Sequence, residues 1–449
     1  MGFWQWLLRC SVLQYQEKMF NLSLEPNKLL GVQMYLFAIL APLSVTKWNK
    51  IVLVLLFLSA LITFFYYITI SKKLTFDKYS FGVILIFLSV FFVSLFSILI
   101  NRDYLVADYL KSVVIGRMFT LITLTLNLLL FTVWLAIADE RCVKRILKFG
   151  LFTAFTFILL GYWQVIGKLI GIPFFVDTRD WMHGVPAALR SIFPSRVTSI
   201  AEEPNFLSPI LMECMLLIAL LVEKKAIRLT MLGMTVIIVV LSFSGGAYVN
   251  FALICTFVFS LIALKTVLTG KTRISHFFVL LLVFCLLLVL MYLGTLLLDF
   301  IYFKLQHEAT GGSSRSQFMV SFTSLLARSN LVQLIFGHGL GTMSVLDSFG
   351  MRSEDYLFRI TNNYTLDMFW EGGVIGVGLI LLFYFKLIYP GLKYGFKNNA
   401  YLIGAVMSFH FIVTSTYRSE YLSTHFLWVI LMIFSIYKLA EFQSNNVNN

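Results

Sequence analysis

The run Arg196-Val-Thr-Ser-Ile-Ala-Glu202-Glu203-Pro204-Asn205 leads without a break into the apolar stretch 206–222, which opens Phe206-Leu-Ser-Pro-Ile-Leu-Met-Glu213. A knot of charge and turn residues therefore abuts an apolar run of 17 residues. As a helix, such a run crosses a hydrocarbon core of roughly 30 Å. Charges at the rim of a membrane helix are costly unless they pair, snorkel or bind a ligand, so 196–205 marks a candidate functional site. A plainer reading makes Pro204 the first helical residue, where its missing N–H costs nothing. Glu202 and Glu203 are then simply favoured by the positive end of the helix.

Runs of the same kind recur along the chain. Of 449 residues 59% are hydrophobic and 13% charged, against roughly 45–50% and about 25% in soluble domains. The expected fold is an all-α polytopic membrane protein, because lipid tolerates such runs only as helices. Apolar spans fall at 29–45, 51–70, 81–100, 113–137, 149–171, 206–222, 229–244, 246–264, 276–298, 365–388, 400–416 and 424–440, about twelve in all. The chain divides into an interfacial N-terminal segment 1–28, a transmembrane domain 29–440 and a frayed tail 441–449. Residues 1–28 mix Trp4, Trp6, Arg9, Glu17 and Lys18 without an apolar core and cleavage site, so no cleavable signal peptide is expected. Five scattered cysteines suggest neither a disulfide framework nor a zinc site.

Loop charges set the expected orientation. With both termini cytoplasmic, the inner loops carry Lys72, Lys73 and Lys78, then Arg141, Lys144, Arg145 and Lys148. Further along come Lys224, Lys225 and Arg228, then Lys265, Lys271 and Arg273, and last Lys386, Lys393 and Lys397. Most arginines fall instead on the outer side, at positions 102, 117, 179, 190, 196, 315, 328, 352, 359 and 418. Guanidinium grips phosphate through two parallel hydrogen bonds, so an arginine-rich outer vestibule suits a phosphate-bearing ligand. Snorkelling to lipid headgroups is the better reading for any one of these arginines and the weaker one for the collection.

Two outer segments are too long to be turns, 172–205 and 299–364, and long connections in compact proteins are usually functional. The first contains Asp180, His183 and Arg190. In the second, Gly311-Gly312-Ser313-Ser314 precedes an amphipathic stretch 315–328 expected to lie flat on the membrane, with Arg315 at its start and Arg328 at its end. Gly337-His338-Gly339-Leu340-Gly341 follows, either a plain turn or a close backbone approach to a ligand. It is not followed by a strand–helix unit and so is no dinucleotide fingerprint. The histidines show no metal-ligand spacing, and no metal or other cofactor is expected. The net charge of +13 is largely membrane anchoring and requires no nucleic acid.

The order of these parts resembles the O-antigen polymerase and ligase superfamily, the Wzy-type and ligase-type membrane glycosyltransferases. Arg-Val-Thr-Ser-Ile-Ala-Glu-Glu-Pro precedes a span. Arg328 and Gly339 match an outer-loop Arg-to-Gly spacing. Asn363, Leu366, Glu371, Gly373 and Gly376 match Asn-x-x-Leu followed by Glu-x-Gly-x-x-Gly. The likeness covers roughly 190–390. Ligases place a histidine where this chain has Asn362, and members often carry Ser-Arg-Gly where it has Ser244-Gly245-Gly246. The Glu-Pro after the first outer arginine is more like polymerases.

The resemblance implies a GT-C-like helical fold and polymerisation of undecaprenyl diphosphate-linked oligosaccharide at the outer face of a bacterial cytoplasmic membrane. The protein would be multi-pass and in contact with membrane lipid, with a chain-length regulator as a candidate partner. Metal-independent glycosyl transfer needs fixed positive charge where the leaving diphosphate accumulates negative charge. Arg196 and Arg315 are the expected diphosphate ligands, supported by Arg328 and Arg359, with Glu203 as the base. Asp180, His183, Arg190, His338, Asn362, Asn363 and Tyr364 are expected to bind substrate, and Trp370 to anchor the helix at the interface. A ligase is the nearest alternative. A transporter or lipid-linked glycan flippase is the alternative from another class, for which Glu213 and His410 within spans would provide a proton path.

Overall fold

The computed structural model describes residues 25–71, 74–102, 114–181, 195–269, 306, 322, 326–342, 363–396, 398–418 and 422–448. These form helices only: α1 (Pro26–Leu40), continued by a 3-10 turn at Ala41–Val45, α2 (Asn49–Ser71), α3 (Lys78–Ile100), α4 (Ile115–Ile137), α5 (Glu140–Leu169), α6 (Pro204–Leu221), α7 (Lys225–Leu241), α8 (Gly245–Thr269), α9 (Leu331–Phe336), α10 (Tyr364–Tyr394), α11 (Asn399–Tyr417) and α12 (Thr424–Asn448). Among the described residues nine helices are long and apolar enough to cross a membrane. Eleven of the twelve expected spans are helical; the run 276–298 lies outside the described residues. Phe92, Ile62, Phe65 and Phe152 expose 61–70% of their surface, as lipid-facing positions of membrane helices do.

Two boundaries differ from expectation. α5 begins at Glu140 rather than near 149, because the Asp139 side chain accepts the Cys142 N–H at 2.7 Å and caps a helix whose first turns are charged. The stretch after Glu441 is not frayed: α12 runs on to Asn448. Lys438 pairs with Glu441 at 2.9 Å, and the Asn398 amide reaches the Ala440 carbonyl and Gln443 at 3.3 Å.

α12 is the central helix, with 83% of its apolar window buried against α11, α5, α4 and the turn after α1. Trp428 fills the middle of this packing and donates its Nε1–H to the Ala38 carbonyl at 2.9 Å. A second layer packs α10 against α3 and α11. There Pro390 lacks the N–H that would reach the Lys386 carbonyl, and that carbonyl accepts the Tyr79 hydroxyl instead.

The helices alternate so that one end of the bundle gathers 41–50, 168–181, 195–206, 241–248, 337–342, 363–371, 414–418 and 422–425. Backbone bonds Glu202 to Val45 and Val197 to Leu241, both 3.0 Å, join several of these. Among the described residues, the opposite end gathers Lys78, Lys386 and Lys438 around Asp77, with Lys438 3.7 Å from it.

Candidate functional site

At the first of these ends, residues 195–203 form a strap that enters α6. A Glu202 N–H bond to the Val45 carbonyl fixes one end, and an Arg196 N–H bond to the Asp180 carbonyl at 3.0 Å fixes the other. Its middle hangs on Gln164 of α5, a buried amide whose Oε1 accepts the N–H groups of Thr198 at 2.9 Å and Ser199 at 2.8 Å while Nε2 donates to the Thr198 hydroxyl. Ser199 is held in the left-handed region at φ 53, as is Phe243 at φ 44 in the α7–α8 corner beside the strap. Such strain persists only where surroundings over-determine it.

The strap presents Arg196. Its Nε donates to the Ser242 carbonyl at 3.2 Å, and its two Nη groups have no hydrogen-bond partner among the described residues. Burial lowers the pKa of this guanidinium, opposed by Tyr248 and Glu203 nearby; it stays charged. An anion would find here a fork whose orientation is already set. Glu203 caps α6, with Pro204 at the first helical position. Its carboxylate is engaged by Arg179 at 2.8 Å rather than by Arg196. Asp180 pairs with Lys168.

Glu202 turns the other way. With Lys50, Asn49, Phe206, Ser423 and Thr424 it lines a cavity of about 290 Å³, large enough for part of a sugar. Arg418 lies at this end too, buried, 4.6 Å above the Phe206 ring. Ser423 also lines a second, smaller cavity of about 20 Å³ with Glu213, His410, His425 and Arg418.

The glycine-rich turn proves to be a structural joint. Gly337, Gly339 and Gly341 have φ of 86, 104 and 66, and α10 breaks at Gly373 with φ 63. The two breaks face each other: a Cβ on Gly337 would sit 2.4 Å from the Glu371 backbone, and one on Gly373 2.3 Å from the Ile335 carbonyl. Glu371 then accepts the Gly341 N–H at 2.8 Å and Arg117 at 3.0 Å. His338 is buried in the joint, stacked on Trp370 with centroids 3.8 Å apart, its Nε2 3.0 Å from the Ser329 hydroxyl. Burial pushes its pKa down to about 4. Trp370 is no interfacial anchor: it is 1% exposed and donates to the Thr342 hydroxyl at 3.1 Å. The close backbone approach is thus to another part of the chain, which accounts for Glu371, Gly373 and the 337–341 glycines without a ligand.

No family model, curated protein or solved structure matches the chain.

Of the residues singled out in the sequence, Arg196, Glu203 and Asp180 come together at the strap. Tyr364 is buried with its ring against Phe426 at 5.6 Å, which places the start of α10 beside the smaller cavity. Asn363 caps α10 by accepting the Leu366 N–H at 3.2 Å. Arg328 is exposed near the joint, and His338 is enclosed within it. His183, Arg190, Arg315, Arg359 and Asn362 lie outside the described residues, as does most of the expected surface helix 315–328. Gln164, Ser423 and His425 also belong to this end, and no motif in the sequence marks them. A polar residue one position inside the last apolar run was the available signal for His425.

Proposed function

We propose that the chain is a membrane glycosyltransferase that polymerises lipid-linked oligosaccharide repeats, with undecaprenyl diphosphate as carrier, at the outer face of a bacterial cytoplasmic membrane. The observation that carries this reading is Arg196: a half-buried guanidinium with Nε anchored and both Nη groups without hydrogen-bond partners among the described residues, on a strained strap whose other end, at Glu202, lines a cavity. Fixed donors of this kind stabilise charge that develops on a leaving diphosphate without reorganising. In the reaction an acceptor sugar hydroxyl attacks the anomeric carbon of the donor. The bond from that carbon to the diphosphate oxygen breaks, and the lipid diphosphate leaves. Arg196 would hold the diphosphate together with Arg315, and Arg328 and Arg359 would add charge. Asp180, His183, Arg190, Asn362, Asn363 and Tyr364 are the proposed sugar-side residues. Glu203 is engaged by Arg179, which leaves Glu202, facing the cavity, better placed than Glu203 to meet a substrate.

The resemblance of 190–390 to Wzy-type polymerases supports the same reading. Proton-coupled glycan transport is a second reading, favoured by the buried Glu213 with its two histidines. Loss of the protein in its native cell separates the alternatives. A polymerase lesion leaves single lipid-linked repeats at the outer face, as expected here. Unattached polymer would indicate a ligase, and repeats trapped inside a flippase, and either would overturn the proposal.

A further inference from the structure

Below the strap lies a cluster that the proposed chemistry has not yet used. Glu213 of α6 is buried in the bundle, where an isolated carboxylate would be prohibitively costly. Two imidazoles engage it, one on each oxygen. His425 Nε2 of α12 is 2.9 Å from Oε2, and His410 Nε2 of α11 is 3.4 Å from Oε1. His410 is fixed on its far side by Asn250 at 3.2 Å. His425 is not: its Nδ1 has no hydrogen-bond partner among the described residues, and the side chain keeps 5% exposure. With Nε2–H donating to Glu213, the tautomer is set and Nδ1 carries the free lone pair. The ring lines the 20 Å³ cavity, room for one water. Ser423 lines both that cavity and the 290 Å³ cavity that holds Glu202.

We infer that His425 is the proton acceptor of the transfer reaction, oriented by Glu213 and reached from the outer cavity past Ser423. The inference rests on the glycosyl-transfer reading above. As the acceptor oxygen bonds to the anomeric carbon, its O–H bond breaks and the proton passes to His425 Nδ1, directly or through one water. The electron pair of the broken anomeric bond leaves on the diphosphate. Glu213 is a positioning residue that holds the tautomer and offsets the imidazolium charge. Among the described residues, the charged and titratable groups around His425 are Glu213 from α6, His410 from α11 and Arg418 just past its end, with Glu202 and Lys50 beyond Ser423. The turn after α1 offers only the Ser44 hydroxyl, which accepts the His425 backbone N–H at 3.0 Å.

The test is steady-state kinetics of purified protein on a defined lipid-linked repeat across pH. His425→Gln should lower kcat by about 10²–10⁴, the usual contribution of a general base, with KM nearly unchanged and the acid limb of the pH–rate profile lost. Added imidazole should restore part of the activity of His425→Gly. Glu213→Gln keeps the shape but removes the charge and one of the two acceptor oxygens, and it serves if the histidine variants do not fold; it should lower kcat and leave KM in place. A His425→Gln protein with near wild-type turnover, or one that keeps the wild-type acid limb, overturns the inference while wild-type polymer formation leaves the function intact. Likewise, full activity in Glu213→Gln overturns the orienting role. Wild-type protein that makes no polymer overturns both together.

Discussion

Arg196 has its Nε committed to the Ser242 carbonyl, while its two Nη groups have no hydrogen-bond partner among the described residues, the arrangement a pre-set anion fork requires. The sequence located this arginine from its place at a membrane rim, but not its anchor, which comes from a different helix. His338 is the opposite case. Glycine neighbours made it a candidate ligand-binding residue, yet it packs on Trp370 inside the α9–α10 joint. Burial holds its pKa near 4, below the ordinary value of 6.5. The unfolded chain therefore binds this proton more readily. The contribution of His338 to stability is full above about pH 6.5 and is lost as pH falls toward 4, roughly 3 kcal/mol across the window. Thermal unfolding in detergent should show this decline, and His338→Phe, which keeps a flat ring on Trp370, should flatten it. Gly337 and Gly373 make a sharper prediction. Alanine at either position meets backbone within 2.4 Å in a left-handed conformation and should abolish the folded joint. Gly378→Ala, with nothing within 4 Å on the same helix, should be neutral or slightly stabilising by size-exclusion melting assays.

At the level of elements, the helices were legible because length and apolarity suffice to identify them in lipid. Eleven of the twelve expected spans are helical. What pattern could not provide was the break inside α10: Glu371-Gly-Gly373 read as part of one apolar run, and only the docking of 337–341 against it explains the positive φ. The strap was similarly half-legible. Its turn residues and charges were visible, while the amide that supports it lies in α5, where Gln164 is one polar residue in an apolar helix. Gln164→Ala should leave the N–H groups of Thr198 and Ser199 without their partner, at about 1–3 kcal/mol each. Transfer activity should fall further than stability because the strap carries Arg196. Equal activity in Gln164→Ala and wild type, measured per folded molecule, would detach the strap from the reaction.

Across the described residues, the strap and both cavities collect at one end of the bundle and Lys78, Lys386 and Lys438 at the other, so one orientation fixes the side on which the strap and cavities lie. Cysteine labelling in intact cells or spheroplasts should reach substitutions at Arg190 and Ser348 from outside and those at Lys225, Gly270 and Lys397 only after permeabilisation. The reverse pattern would place the strap and both cavities on the cytoplasmic side and end the proposed mechanism. The carboxylate expected to act, Glu203, proved to be held by Arg179, whereas Glu213, His410 and His425 come from three separate helices that only the assembled bundle brings together. The central claim is that Arg196 serves a leaving diphosphate. It is tested most directly by reconstituting purified protein with a synthetic lipid diphosphate-linked repeat and measuring polymer and released lipid diphosphate for wild type and Arg196→Lys. Lysine keeps the charge but not the two-pronged fork, so the account predicts a polymer ladder from wild type and roughly a 10-fold to 100-fold lower rate from the variant at equal folded protein. A wild-type protein that forms no polymer, or an Arg196→Lys protein that forms it at the wild-type rate, would contradict that claim.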